Sequence, residues 1–350
     1  MDAVFEFRTF KIVSNSVKGE TNMKKYLALL LALVMVFALC ACGSKNETPA
    51  PAGSADAEAP AAGSELTFVT GGESGTYYAF GTVLAQHVNS LTDTKINAVA
   101  GNGSQANVED LAAGQAQLAF CQSDVASYAY NGTNLFEESG AVTDFSVVAA
   151  LYMEQVQIVT LDPEIKSVAD LKGKNVSIGA AGSGVYFNAL DILGAYDLTE
   201  DDISPVYQSF ADSADSLKDG KIDAAFIVAG APTTAITDLA TGKSVYLVSL
   251  DDEHIDKLMA ASPFYSKAVI TAETYGMPED VTTVAVGALV LARNDVPDAD
   301  VYNFVSSIFD NLPDVIAAHA KGAELSVEFA SSVEGIPYHP GAAQYYAEQG

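Results

Sequence analysis

Leu66-Thr67-Phe68-Val69-Thr70-Gly71-Gly72-Glu73-Ser74-Gly75-Thr76-Tyr77-Tyr78 is the stretch on which the reading of the fold turns. Residues 66–70 alternate as a short strand, 71–75 form a glycine-rich loop, and 76–89 carry the apolar spacing of a helix. The same succession returns at 175–179, 180–184 and 185–193, where Ser183-Gly184-Val185-Tyr186-Phe187 echoes Ser74-Gly75-Thr76-Tyr77-Tyr78. Farther along, Leu111, Gly114, Gln117, Ala119 and Phe120 are matched by Leu217, Gly220, Asp223, Ala225 and Phe226 at a similar offset. One βαβαβ unit therefore occurs twice. Strands alternating with helices imply an α/β protein of two lobes, each a mostly parallel sheet flanked by helices. Ligands of such sheets sit beyond the carboxyl ends of the strands, where both Ser-Gly loops fall, so a cleft between the lobes is expected.

Two apolar, β-rich stretches join the repeats. Residues 149–161 carry the chain into the second lobe and 282–293 bring it back, each as half of a hinge, while helices at about 298–321 and 341–348 complete the first lobe. Lobe 1 is assigned to 65–153 and 287–350, and lobe 2 to 154–286.

The first 64 residues stand apart. Lys24-Lys25 and an apolar run over 26–39 lead into Leu39-Cys40-Ala41-Cys42-Gly43-Ser44, a run too short to span a bilayer and ending in small residues. Residues 1–42 thus read as a leader whose true start is Met23, with a lipobox that places the acylated cysteine at Cys42. Residues 43–64, rich in Ala, Gly, Ser and Pro, read as a flexible tether reaching roughly 25 Å. The chain would then be extracytoplasmic and lipid-anchored on the outer face of a bacterial cytoplasmic membrane. Cleavage before Cys42 leaves Cys121 as the single unmodified thiol, so no internal disulfide can form.

The 350 residues are 49% hydrophobic and carry 17 basic against 45 acidic side chains, a formal charge of −28. The balance offers a nucleic-acid partner no positive surface. It also shapes the expected ligand chemistry. The body holds one arginine, Arg293, at a strand end, so a guanidinium clamp in the cleft is not expected. An anion would instead be met by backbone N–H groups at glycine-rich helix starts, with the hydroxyls and amides of Ser74, Thr76, Ser104, Asn107, Gln122 and Ser183. Each has a plainer role beside it. Ser74 and Ser183 fit helix N-caps, Ser104 and Asn107 fit satisfaction of the helix they begin, and Tyr77, Tyr78, Tyr186 and Phe187, at helix starts, fit core packing as well as the lining of a cleft. Asp124 reads as an N-cap and Cys121 as a small buried apolar residue. The four histidines lack metal-ligand spacing, and Asp251-Asp252-Glu253 reads as a solvated face.

The ordered set Thr70-Gly71-Gly72-Glu73-Ser74-Gly75-Thr76-Tyr77-Tyr78, Gly103-Ser104-Gln105-Ala106-Asn107, Phe120-Cys121-Gln122-Ser123-Asp124, Asp170-Leu171-Lys172-Gly173-Lys174, Gly182-Ser183-Gly184, Ala229-Gly230-Ala231-Pro232 and Tyr338-His339-Pro340-Gly341-Ala342 resembles the TAXI family of solute receptors of TRAP transporters. The resemblance covers nearly the whole exported body. It implies a two-lobed, type II-like periplasmic-binding-protein fold and a monomer that closes on glutamate, 2-oxoglutarate or a related dicarboxylate. The solute would be delivered to TRAP membrane subunits, with no cofactor, metal or catalysis. It adds Gly72, Gly75, Tyr77, Gly184, Val185, Gly230 and Pro232 to the expected ligand-binding residues. Val185 stands where the family often has Thr, and Cys121 where it often has an aliphatic residue.

Two other readings remain at this point. A lipoprotein of the same fold could present its ligand to a signalling partner. Alternatively, Gly101-Asn102-Gly103-Ser104-Gln105-Ala106 follows a strand and fits G-x-G-x-x-A, with Asp124 some 20 residues on, as in a dinucleotide-binding enzyme.

Overall fold

The computed structural model describes residues 63–350; the leader, Cys42 and nearly all of the expected tether lie outside the described residues. The last tether position, Ser64, joins the fold: its carbonyl accepts from Lys95 N at 2.9 Å and its N–H donates to Asp300 Oδ1 at 3.3 Å.

The first repeat runs β1 (Glu65–Val69), α1 (Thr76–Leu91), β2 (Lys95–Val99), α2 (Ser104–Ala112), β3 (Leu118–Gln122) and α3 (Ser123–Asn131). A long strand β4 (Phe145–Thr160) leads to the second: β5 (Asn175–Ser177), α4 (Gly184–Ala195), β6 (Ser204–Val206), α5 (Phe210–Lys218), β7 (Ala224–Ala229) and α6 (Thr234–Gly242). Then follow β8 (Tyr246–Leu247), α7 (Asp252–Ala261), β9 (Ser266–Ile270) and the returning β10 (Val281–Arg293). Helices α8 (Asp298–Phe309), α9 (Leu312–Ala318), α10 (Val327–Ala330) and α11 (Pro340–Gln349) end the chain.

One mixed sheet in the order β2-β1-β3-β10-β4-β7-β5-β6 joins both halves, with β8 on β4 and β9 on β10. The three strands of each repeat are parallel, whereas β10 runs antiparallel to its neighbour β3, β4 antiparallel to its neighbour β7, and β4 and β10 antiparallel to each other. Each half therefore has its expected parallel core, bordered by two long strands that both halves share. Met153 and Gly287 are register partners near the middle of that pair. Leu151 and Val148 are extra residues on β4, left over at register shifts opposite Ala288/Leu289 and Val290/Leu291. Such bulges bend and twist a strand, which curls the sheet.

Both faces of the sheet are covered. Phe68, Phe120 and Val290 pack on one face in the first half, and Val69, Cys121 and Leu291 on the other. Phe226 and Val228, against Ala225 and Ile227, divide the second half in the same way. This is the alternation of a strand buried on both sides. Helix α1 buries Tyr77, Phe80, Gly81, Leu84, Ala85 and Val88 along one stripe and ends where Thr92 N returns to Val88 O. Helices α8 and α11 add Phe304, Ile308 and Tyr345 to the core of β1 and β3. The stretch 298–321 is broken at Asp310-Asn311, where the chain turns and Pro313 opens α9.

Among the described residues, no helix is long and apolar enough to cross a membrane. The acidic run has a local purpose, since Asp251 caps α7 by accepting from His254 N at 3.2 Å. Asp251→Ala should cost about 1 kcal/mol, read from the midpoint of urea unfolding.

Candidate functional site

Four helices begin at one cavity. Gly75 and Thr76 of α1, Gly103 and Ser104 of α2, Ser183 and Gly184 of α4, and Ser209 and Phe210 of α5 all line it. The cavity volume is about 130 Å³, close to the ~150 Å³ that holds a benzene-sized guest. Each helix start brings unsatisfied N–H groups and the positive end of a dipole. At α1, α2 and α4 no side chain caps the first turn; only Ser209 does so, accepting from Asp212 N at 3.2 Å. Among the described residues, no Lys, Arg or His lines the cavity. Arg293 is engaged elsewhere with Asp295 at 2.6 Å.

The lobes meet around this space. Ala106 N donates to Gly182 O at 2.9 Å, Ala235 N to Ser74 O at 3.2 Å, and Thr76 Oγ1 to Gly230 O at 2.9 Å. Gly103 has φ 106°, and a side chain there would lie 3.1 Å from Ser183 Cα, so the approach of α2 to α4 requires glycine.

Of the residues named from the sequence, Gly72, Gly75, Thr76, Tyr77, Ser104, Gln122, Ser183, Gly184 and Val185 line the cavity. Four do not. Ser74 turns its carbonyl to α6, and Gly230 spends its carbonyl on Thr76 and Thr233. Asn107 donates to Thr70 O at 2.6 Å and Phe120 O at 2.8 Å, tying the ends of β1 and β3 together. Pro232 lies outside the lining. Asp124 is not an N-cap: Gln122 holds that position, and Asp124 is fully buried in the first turn of α3.

The side chains differ in what they have left to offer. Thr76 has spent its hydroxyl hydrogen on Gly230. Gln122 donates from Nε2 to Asn188 at 2.5 Å and accepts at Oε1 from Ser104 Oγ at 3.3 Å. Ser183 is 6% exposed and, among the described residues, its Oγ has no hydrogen-bond partner.

Sequence reasoning passed over Glu154 and Phe210. Glu154, the one acid within β4, lines the cavity at 2% exposure. Tyr77 Oη donates to its Oε1. Burial pushes its carboxyl well above the ordinary range, outweighing the Tyr77 hydrogen bond and the nearby Lys321 charge. Burial and the same carboxyl raise the Tyr77 phenol. Ser209-Phe210 stands to Gly103-Ser104 at the offset that relates the two repeats, so the signal for that wall was present.

The dinucleotide reading fails on geometry. The cavity is far smaller than the roughly 300–1,000 Å³ of cofactor pockets. Gly103 is packed on Ser183, and Asp124, which would hold a ribose, is sealed in a hydrogen bond from Asn188. Cys121 is buried, and that burial holds its thiol well above its ordinary range, as expected of a packing residue. Among the described residues, no group of three or more His, Cys, Asp or Glu is placed to hold a metal ion.

The family model described as the NMT1-like family matches residues 68–350. Among solved structures, MatC from Rhodopseudomonas palustris with bound malate aligns at TM-score 0.54 and 16% identity, over 81% of this chain and 96% of that one. The alkanesulfonate-binding protein SsuA from Xanthomonas axonopodis pv. citri, bound to MOPS, aligns at 0.46 and 17%, over 82% and 84%. The aliphatic sulphonate binding protein SsuA of Escherichia coli aligns at 0.43 and 18%, over 81% and 82%. The fold is the two-lobed, mixed α/β, type II periplasmic-binding-protein-like fold, its curled sheet forming the cleft.

Proposed function

The chain belongs to the NMT1-like family, and from that premise we propose that it is an extracytoplasmic solute-binding protein, not an enzyme, that closes its two lobes on a small organic acid. The observation that carries this reading is the convergence of four helix N-termini, three without a side-chain cap, on a cavity beside the unpartnered hydroxyl of Ser183. Backbone N–H groups and dipole ends stabilise a carboxylate without a cation, and a cavity of this size suits a solute of few heavy atoms. The lobes divide at residues 153/154 and 286/287, where Met153 faces Gly287 across the shared strands.

In finer terms, the ordered strings from Thr70 to Ala342 support a TAXI receptor anchored through Cys42 that hands glutamate, 2-oxoglutarate or a related dicarboxylate to TRAP membrane subunits. Opening and closing about β4 and β10 would then be a population shift, driven by a solute that touches both lobes.

A thermal-shift screen tests the reading. The chain from Cys42→Ser onward, unfolded and refolded to strip bound solute, is titrated with amino acids, dicarboxylates, other organic acids and NAD. A midpoint that rises with the concentration of a small acid supports it, and a response to NAD alone overturns it. Ser183→Ala should then weaken binding of the stabilising acid about 5- to 150-fold, equivalent to about 1 to 3 kcal/mol. Because its Oγ bonds nothing in the protein, the variant should unfold at the wild-type temperature without solute.

A further inference from the structure

Behind the cavity lies a buried polar cluster that reaches the cavity wall through Gln122. Its hub is Asn188 on α4, in the second lobe. Asn188 Oδ1 accepts from Gln122 Nε2 at 2.5 Å, and its Nδ2 donates to Asp124 Oδ2 at 2.9 Å and to Tyr265 Oη at 2.8 Å. Tyr265 in turn donates to Asp191 Oδ2 at 2.9 Å. Gln122 and Asp124 belong to the first lobe, the others to the second. Gln122, Asp124, Asn188 and Tyr265 are each at most 3% exposed. Aromatic packing surrounds the cluster, with Tyr128 of α3 stacked on Phe187 of α4 at 5.8 Å and edge-on to Phe264 at 5.9 Å.

The cluster has a direction. Asp124 Oδ2 accepts, so Asn188 turns its N–H₂ toward it and its carbonyl toward Gln122. Gln122 must then give its own N–H₂ to Asn188, which leaves its Oε1 beside Ser104 at the cavity wall. We infer that Asp124 is a positioning residue: through Asn188 it fastens the two lobes together behind the cavity and decides which end of the Gln122 amide the cavity receives. The inference rests on the binding reading for the role of Gln122, whereas the lobe contact itself needs no solute.

Such a contact is sensitive to protons. The titratable groups acting on Asp124 are Asp191 on α4, Glu154 on β4, Cys121 on β3, Tyr128 on its own helix and Tyr265 before β9, all acids, phenols or a thiol. Burial, helped by Asp191, pushes the Asp124 carboxyl up to about 7 against the hydrogen bond from Asn188. With the lobes apart, water would return it toward the ordinary ~4. An acid raised in the joined form favours joining when protonated. The contact should therefore strengthen as pH falls through 7, by at most about tenfold per unit.

Amide hydrogen exchange over the first two turns of α4, in the solute-free chain from Cys42→Ser onward, tests this. After correction for intrinsic exchange, protection in the wild type should be about tenfold higher at pH 6 than at pH 8. Asp124→Asn, which can still accept from Asn188, should keep the high protection at both pH values. Asp124→Ala and Asn188→Ala should lose it at both. The inference is overturned if Asp124→Asn retains the wild-type pH difference, or if the alanine variants are as protected as the wild type. Should the alanine variants fail to fold, Asp124→Asn alone decides through the pH term. No solute enters the measurement, so failure of the binding reading shows separately, in the screen.

Discussion

Gly184→Ala is expected to weaken binding of the stabilising solute by about 100-fold or more, equivalent to about 2.7 kcal/mol, while leaving a folded protein. A β-carbon at this first position of α4 would lie 1.5 Å from Gln122 Oε1 and 2.9 Å from Ser104 Oγ. A flexible side-chain end can often move aside, but this one is held. Gln122 is 3% exposed, its Nε2 is bound to Asn188, and its backbone N–H donates to Ser104 Oγ at 3.0 Å. Relief therefore requires either turning the amide out of its network or parting the lobes, and both spoil the cavity. Alanine is the better helix former, so α4 itself loses nothing. Calorimetric titration reads the affinity and circular dichroism the fold. Wild-type affinity in the variant would mean that the lobes do not close as tightly in solution as Gly103, Ser183 and Gly184 require.

The second large effect concerns Glu154. Its carboxyl is raised in the folded chain by burial, so the fold binds this proton more tightly than the unfolded chain does. The stability it contributes is fully present below the unfolded value, near 4.5, and is lost as pH climbs toward the raised folded value. Glu154→Gln keeps an acceptor for Tyr77 Oη and removes the buried charge. The variant should unfold with the wild type near pH 4 and above it at pH 8, the gap growing by at most about 1.4 kcal/mol per pH unit. Asp124 pushes wild-type stability in the same direction, so only the difference between the two proteins isolates Glu154. Parallel pH profiles from 4 to 8 would show that Glu154 stays ionised in the fold and that Tyr77 and Lys321 suffice to hold it so.

Much of this architecture was legible because it is local. The alternation at 66–70, the glycines at 71–75 and the stripe from Tyr77 to Val88 need no distant residue to be read, and their return at 175–193 exposes the repeat. The long apolar stretches around 149–161 and 282–293 announced two buried strands shared by both halves, which β4 and β10 provide. Less legible was the fate of each polar side chain. Asn107 and Ser183 looked alike as candidates, yet the first is consumed by two carbonyls and the second by none. Glu154 went unnoticed because a lone acid in a strand says nothing by itself about which face it takes.

By itself, then, the sequence determined the repeated βαβαβ plan, the glycine-rich helix starts that favour an anion, and a body with a single arginine. Those follow from backbone propensity and composition, which act within a few residues. Only the tertiary structure decided that Thr76 is spent on Gly230, 154 residues away, that Gln122 is locked to Asn188 across 66 residues, and that Asp124 accepts from Asn188 where an N-cap was expected. A hydrogen-bonding group buried in a core must find a partner or pay desolvation, and the partner is whatever folding brings within about 3 Å.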